Sequence, residues 1–392
     1  MDEKTRFSTQ AVHAGEKRDP QTGSIITPIY QTSNFAFPST KDLLAYADGK
    51  IDGYIYTRYG NPTLRVVERK VAQLEDVADA VACGSGMAAI TMTIMSLVSR
   101  GDHIVAIRDI YGGTYALLKE VLPRFGVETS FVEATDIQCL EQAVRTNTRI
   151  IFIESPTNPT LKIVDLAAVA SIGRRYNVPV IIDNTFATPY NQQPSHFGID
   201  LVLHSATKYF GGHSDLTAGI IAGSKSYLEK AKDMLKILGG VLDPHAAWLL
   251  LRGLKTLGLR IEKQNQNGIE IAKYLESHSK VRRVYYPGLE NHPQHSLAKR
   301  QMKGFGGVVS FEVDGDLEAA IRFVDAVHMA YITPSLGGAE TLITQPATTS
   351  HYRMAEDERL KAGITNELIR LSLGIEDAQD IIADLDQAFD QV

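Results

Sequence analysis

The stretch LVLHSATKYFGGHSD, residues 201–215, leads four strand-like residues into a polar turn. That turn sets Lys208 among the hydroxyls of Ser205 and Thr207, just ahead of the paired glycines Gly211 and Gly212. A lysine is ordinarily a surface charge, so the meaning of Lys208 depends on what surrounds Leu201–His204. Similar apolar runs occupy Ala78–Ala82, His103–Ile107, Thr129–Val132, Arg149–Glu154, Val178–Asp183 and Gly219–Ala222. Helical patterns lie between several of them: Thr63–Glu75, the run that ends at Val98, and Asp165–Tyr176. Strands of near-continuous Val, Ile and Leu alternating with helices predict an α/β fold, a mostly parallel central sheet covered by helices on both faces.

The rhythm changes at GGVLDP (239–244), where Asp243 and Pro244 read as the N-cap and first-turn proline of one long helix running towards Leu275. Beyond it, a strand at Gly306–Val313, a helix at Leu317–Val327 and a strand at Leu368–Leu373 predict a smaller C-terminal α+β domain. The opening residues, rich in Thr, Ser, Pro, Gly and Tyr, read as an irregular extended arm that lies on something else. The expected organisation is an arm over 1–62, an α/β domain over 63–245 and an α+β domain over 246–392.

Composition narrows the function. A chain of 392 residues exceeds one ordinary core. Its 44% hydrophobic and 22% charged residues are those of a soluble globular protein. A formal net charge of −6, with no dense Lys/Arg tract, argues against a general nucleic-acid binder. No run approaches the roughly 18 apolar residues of a membrane span, and the polar start Met1–Arg6 does not read as a secretory signal. Cys83 and Cys139 are too few for a disulfide framework or a structural zinc site. No metal is expected, and the cytoplasm is the expected location.

Sheets of this kind bind ligands beyond the carboxyl ends of their strands, and four features converge on that rim. CGSGMA (83–88) places glycines between a strand and a helix, as a plain tight turn or as a cradle whose N–H groups close on a phosphate. It has neither the Walker pattern nor the dinucleotide spacing. Asp183 ends VPVII (178–182), as a helix cap, a metal ligand or the partner of a protonated ring nitrogen. Lys208 follows the next strand, either gripping a phosphate or forming a Schiff base. Arg370 sits inside LIRLSL (368–373), paired with a structural acid or awaiting a ligand carboxylate. Phosphate cradle, ring-nitrogen acid, amine and carboxylate-binding arginine together describe pyridoxal 5′-phosphate acting on an amino acid.

Eight ordered blocks carry a resemblance: YTRYGNPT (56–63), GSGMAAI (84–90), DIYGGTY (109–115), ESPTNPT (154–160), VIIDNTFATP (180–189), HSATKYFGGHSD (204–215), SLGGAETL (335–342) and LIRLSLGIED (368–377). Over its whole length the chain resembles the trans-sulfuration family of fold-type I pyridoxal phosphate enzymes. The resemblance implies the fold-type I transferase fold, with Lys208 as Schiff-base lysine and Asp183 as pyridinium partner. Gly86, Met87, Ser205 and Thr207 would form the near half of the phosphate site. Tyr56 and Arg58 match residues that reach the phosphate of the neighbouring subunit, so a homotetramer of paired active dimers is expected. Tyr111 matches the aromatic that stacks on the cofactor ring and moves protons as the leaving group departs. Arg370, Ser335 and Asn158 match the group holding the substrate carboxylate and an adjacent cofactor oxygen. Cys83 reads as a small buried filler beside the cofactor loop.

Within the family the signals divide. Gly113 stands where methionine γ-lyases carry cysteine, which disfavours that activity. Glu340 matches an acid common in cystathionine γ-lyases and γ-synthases, placed to receive the distal ammonium of cystathionine or to face solvent. QPATTSHYRM (345–354) resembles O-acylhomoserine sulfhydrylases instead. The expectation is γ-elimination from cystathionine, with γ-replacement on an activated homoserine as the alternative. Outside the family stand an aminotransferase and a non-catalytic binding protein.

Overall fold

A computed structural model describes residues 5–349, 352 and 356–392. Seven strands form the larger sheet: β1 (Asp79–Cys83), β2 (His103–Ile107), β3 (Glu128–Val132), β4 (Thr148–Glu154), β5 (Val180–Asp183), β6 (Leu201–His204) and β7 (Gly219–Gly223). Their order is β1-β7-β6-β5-β4-β2-β3. The pairs β2–β3, β2–β4, β4–β5 and β5–β6 are parallel, and β7 runs against both its neighbours. β2, β5, β6 and β7 are buried at every position, which is why they read as unbroken aliphatic runs rather than alternating ones. The register matters most at the carboxyl rim, where Glu154 of β4 pairs with Asp183 of β5, and Asp183 with Leu203 of β6.

Behind that rim lies the helix Gly86–Met95, capped by Ser85, whose hydroxyl accepts from the Ala88 N–H at 3.0 Å. β7 packs against this turn with no room to spare. A Cβ at Gly219 would lie 2.0 Å from the Ser85 carbonyl oxygen, so only glycine permits the approach.

The smaller sheet holds β8 (Val281–Tyr285), β9 (Val308–Val313), β10 (Tyr331–Ile332), β11 (Leu342–Thr344) and β12 (Leu368–Ser372), in the order β10-β11-β12-β9-β8. β12 is central, fully buried and antiparallel to β9 and β11. Each sheet has its own apolar core. One helix, Leu257–Ser277, enters both: Leu257 and Ile261 lie in the first core, Ile271 and Leu275 in the second. No helix among the described residues is long and apolar enough to cross a membrane.

Several expectations change. The single long helix after Asp243 is two, Pro244–Lys255 and Leu257–Ser277, broken at Thr256. The cause is the Gly253 carbonyl, which continued helix would need. It accepts instead from the Thr256 N–H and hydroxyl, both at 3.2 Å, and from Arg260 Nη2 at 2.7 Å. Asp243 does cap the first of the two, accepting from the His245 and Ala246 N–H groups.

The irregular opening stretch contains two helices, Phe7–His13 and Thr40–Ala47. The first is tied down by Lys70, which is fully buried and donates to the Ala11 and Val12 carbonyls at 2.8 and 3.0 Å. Glu16 pairs with both Lys70 (3.0 Å) and Lys255 (2.9 Å). The helix Lys225–Leu238 and strands β8, β10 and β11 were not foreseen. β8 carries two arginines on an edge strand, and β10 and β11 have only two and three residues.

Candidate active site

A cavity of about 600 Å³ opens at the carboxyl rim of β4, β5 and β6, with the segment Thr333–Leu336 and Arg370 of the smaller sheet closing its far wall. That volume suits a cofactor and a small substrate together. Asp183, Lys208, Gly86, Met87, Tyr111, Ser205, Thr207, Asn158, Ser335 and Arg370 all line it. Tyr56, Arg58 and Glu340 do not.

Gly86 begins the capped helix, so its first-turn N–H groups lack helical partners and carry the positive end of the dipole. A Cβ there would meet the Ser205 side chain at 2.8 Å. The glycine thus lets Ser205 close directly on the helix start. The Thr207 hydroxyl both accepts from the Ala218 N–H (3.0 Å) and donates to the Ala218 carbonyl (3.2 Å), which fixes the turn carrying Lys208.

Asp183 is buried, and both bonds that orient it fall on Oδ1: from the Thr185 N–H at 3.0 Å and the Thr185 hydroxyl at 2.5 Å. Burial pushes its pKa up, opposed by those two bonds and by the nearby His204. Thr185 also accepts from the Ser205 N–H at 2.8 Å, so one hydroxyl links the acid of β5 to the loop after β6. Sequence reasoning missed this role, although Thr185 stands two residues after Asp183 in a quoted block, the spacing of an Asx turn.

Lys208 Nζ lies 2.9 Å from Ser335 Oγ, across the gap between the two sheets. Burial, and then the charge of Arg370, hold its ammonium below the usual lysine range. An amine so placed gives up its proton more readily than a surface lysine.

Arg370 is buried, and its acceptors are neutral oxygens: Asn158 Oδ1 (2.8 Å), Pro334 O (2.8 Å) and Ser335 O (3.0 Å). Its Nε is buried with no partner among the described residues. Burial brings its pKa down to about 10. A guanidinium sheltered by neutral groups has charge to spare for an anion, which favours a ligand carboxylate over a structural acid.

Tyr111 is 46% exposed at the cavity mouth, and its N–H donates to Glu154 Oε2 at 2.8 Å. At Gly113 a Cβ would come within 2.6 Å of Tyr111 Cε1 and 3.1 Å of Met87 Sδ. The Tyr111 ring already fills the space a side chain would take. The Arg58 guanidinium lies 5.5 Å from the centre of the Tyr56 ring and 4.8 Å from that of Tyr59, and donates to the Lys236 carbonyl. Glu340 is exposed. Part of the sulfhydrylase-like segment 345–354, at 350, 351, 353 and 354, lies outside the described residues.

Residues 8–390 match the family described as Cys/Met metabolism PLP-dependent enzyme. The chain belongs to this family. It is 46% identical over 385 residues to cystathionine gamma-lyase of Bacillus subtilis, covering 98% of this chain and 99% of that protein. It is 45% identical over 384 residues to chloroplastic cystathionine gamma-synthase 1 of Arabidopsis thaliana, covering 97% and 68%. Its fold matches the crystal structure of metB from Corynebacterium glutamicum with a TM-score of 0.94 and 40% identity, over 100% of this chain and 99% of that one. The cofactor of this Cys/Met metabolism family is pyridoxal 5′-phosphate. The glycine cradle at Gly86, the half-satisfied Asp183, the free Nε of Arg370 and the buried amine of Lys208 fit that group and an amino acid beside it.

Proposed function

We propose that the enzyme cleaves the Cγ–S bond of cystathionine, turning cystathionine and water into cysteine, 2-oxobutanoate and ammonia. The reaction is redox-neutral, so no oxidant is required. Supporting it above all is the position of Lys208 Nζ, 2.9 Å from Ser335 Oγ in a cavity that Asp183 and Arg370 also line. Pyridoxal 5′-phosphate supplies an aldehyde for the amine and a ring that stores the electron pair released at Cα.

The residues then divide the work. Arg370 takes the α-carboxylate and, with Asn158, orients Cα towards Lys208. The Lys208 amine would take the Cα proton, pass it on to the bound cofactor, and so be free to take a proton from Cβ, after which the γ-substituent leaves as a thiolate. Asp183 would hold the proton on the ring nitrogen. Tyr111, at the cavity mouth, protonates the departing sulfur. Likeness to the Bacillus lyase along the full length of both chains favours elimination. The glycine at 113, where methionine γ-lyases carry cysteine, leaves the Tyr111 ring and Met87 packed over the backbone there and weighs against that activity.

A second reading, γ-replacement on an O-acylhomoserine, is favoured by likeness to the Arabidopsis synthase. The holoenzyme given cystathionine alone is expected to release 2-oxobutanoate and cysteine in equal amounts. Turnover that appears only when an O-acylhomoserine and a thiol are both supplied would replace the first reading with the second.

The same reading makes the working unit a pair of subunits, assembled as a dimer of dimers. Tyr56 and Arg58 lie outside their own cavity, on a segment with exposed Ile25, Ile26, Ile29, Tyr30 and Leu44. They would complete the phosphate site of a partner copy. An equimolar mixture of inactive Lys208→Ala and Arg58→Ala chains, refolded together, is then expected to regain about a quarter of wild-type activity, because half the dimers carry one intact site. No regain from two chains that are each inactive alone would place Arg58 in its own subunit's site.

A further inference from the structure

Glu154 has no part in the chemistry above, yet it is a buried acid on the cavity wall. It is 5% exposed, lines the cavity and is the register partner of Asp183 on the neighbouring strand. Its carboxyl accepts the backbone N–H of Tyr111 at 2.8 Å, and the Asn158 backbone N–H faces it. Asn158 in turn holds Arg370 through its side chain at 2.8 Å. One side chain therefore joins the ring over the cavity mouth to the arginine on the opposite wall.

Two carboxylates side by side in a buried site do not both ionise. Asp183 has two donors from Thr185 on Oδ1, which favour its anion. The charged groups facing Glu154 are Asp183 from β5, Asp109 from the loop after β2, and Arg370 from β12. Two of these three are acids.

We propose that Glu154 is a further positioning residue: it locks Tyr111 and Asn158 in place while remaining a neutral carboxylic acid, so that Asp183 alone presents a negative charge to the cofactor ring. Burial, and then the charge of Asp183, push the Glu154 pKa well above the usual carboxylate range, in keeping with that assignment. The inference rests on the cofactor site rather than on the choice of substrate.

The test compares Glu154→Gln, Glu154→Ala and Glu154→Asp holoenzymes by the visible circular dichroism of bound cofactor, by the pH midpoint of its absorbance band, and by kcat and KM for cystathionine. Glutamine keeps the acceptor without the charge. Its dichroism is expected to match wild type, with a midpoint within about 0.3 pH unit and kcat within about threefold. Alanine removes the Tyr111 bond and the polar contact to Asn158, and aspartate is one methylene too short. Each is expected to lose most of the induced dichroism and about 10²-fold in kcat with little change in KM, as for misplaced reacting groups.

A midpoint in Glu154→Gln displaced as far as in Asp183→Asn would show Glu154 ionised and overturn the neutral-acid assignment. Unchanged dichroism and kcat in both Glu154→Ala and Glu154→Asp would overturn the positioning role. If cystathionine proves not to be a substrate, the dichroism and the midpoint still decide. A wild-type protein lacking any visible band would instead count against the cofactor site itself.

Discussion

Lys208→Ala is expected to yield a folded protein that turns over cystathionine at least about 10³-fold more slowly than wild type, without the visible band of a lysine-bound cofactor. The size of the effect follows from two duties of one amine. On the proposed function it would hold the cofactor aldehyde at rest and move protons at Cα and Cβ once the substrate is bound. The side chain touches little else that matters for folding: its one hydrogen bond crosses the cavity to Ser335. Truncation removes a half-buried ammonium whose desolvation is unfavourable, so the melting temperature of the cofactor-free protein is expected to stay level or rise. Absorbance spectroscopy and a 2-oxobutanoate assay on the purified variant check both halves. A retained band with retained turnover would remove Lys208 from the chemistry.

Asp183→Asn should cost roughly 10²–10³-fold in kcat, the range for loss of one preorganised electrostatic group. Asparagine keeps an oxygen for the two Thr185 bonds, so the local geometry survives. What it loses is the charge that keeps the ring nitrogen protonated. The effect on stability has the opposite sign. The folded-state pKa of Asp183 is raised by burial. Its favourable contribution is therefore complete below the unfolded carboxylate pKa and lost as pH rises through the raised folded value. At neutral pH the cofactor-free wild type bears that loss and the asparagine variant does not. Thermal melts of the two cofactor-stripped proteins should show the variant at least as stable at pH 7, with the gap closing in acid. A variant that melts lower at pH 7 would mean the charge has a cationic partner in the empty protein.

Much of this was legible in the chain. The strands of the larger sheet announce themselves because burial on both faces demands aliphatic residues at every position, so His103–Ile107 and Leu201–His204 coincide with their expected bounds. Lys208, Asp183 and Arg370 stand out as charges within or at the ends of such runs, and they line one cavity. What the sequence hid were features set by tertiary contact. The break at Thr256 depends on Arg260 reaching the Gly253 carbonyl, and no local propensity forecasts that. Glu154 read as the last residue of a strand, because its importance lies in a register partner 29 positions away. Glu340, matched by family likeness to an acid that receives a distal ammonium or faces solvent, is exposed and does not line the cavity.

The helix Leu257–Ser277 has a mechanical consequence. Its first turns are rooted in one core and its last turns in the other, so it acts as a strut welded at both ends. A hinge between the sheets would have to bend that strut against its own backbone hydrogen bonds. The two sheets beside which Lys208 and Ser335 lie are thereby joined through one continuous helix as well as across the cavity.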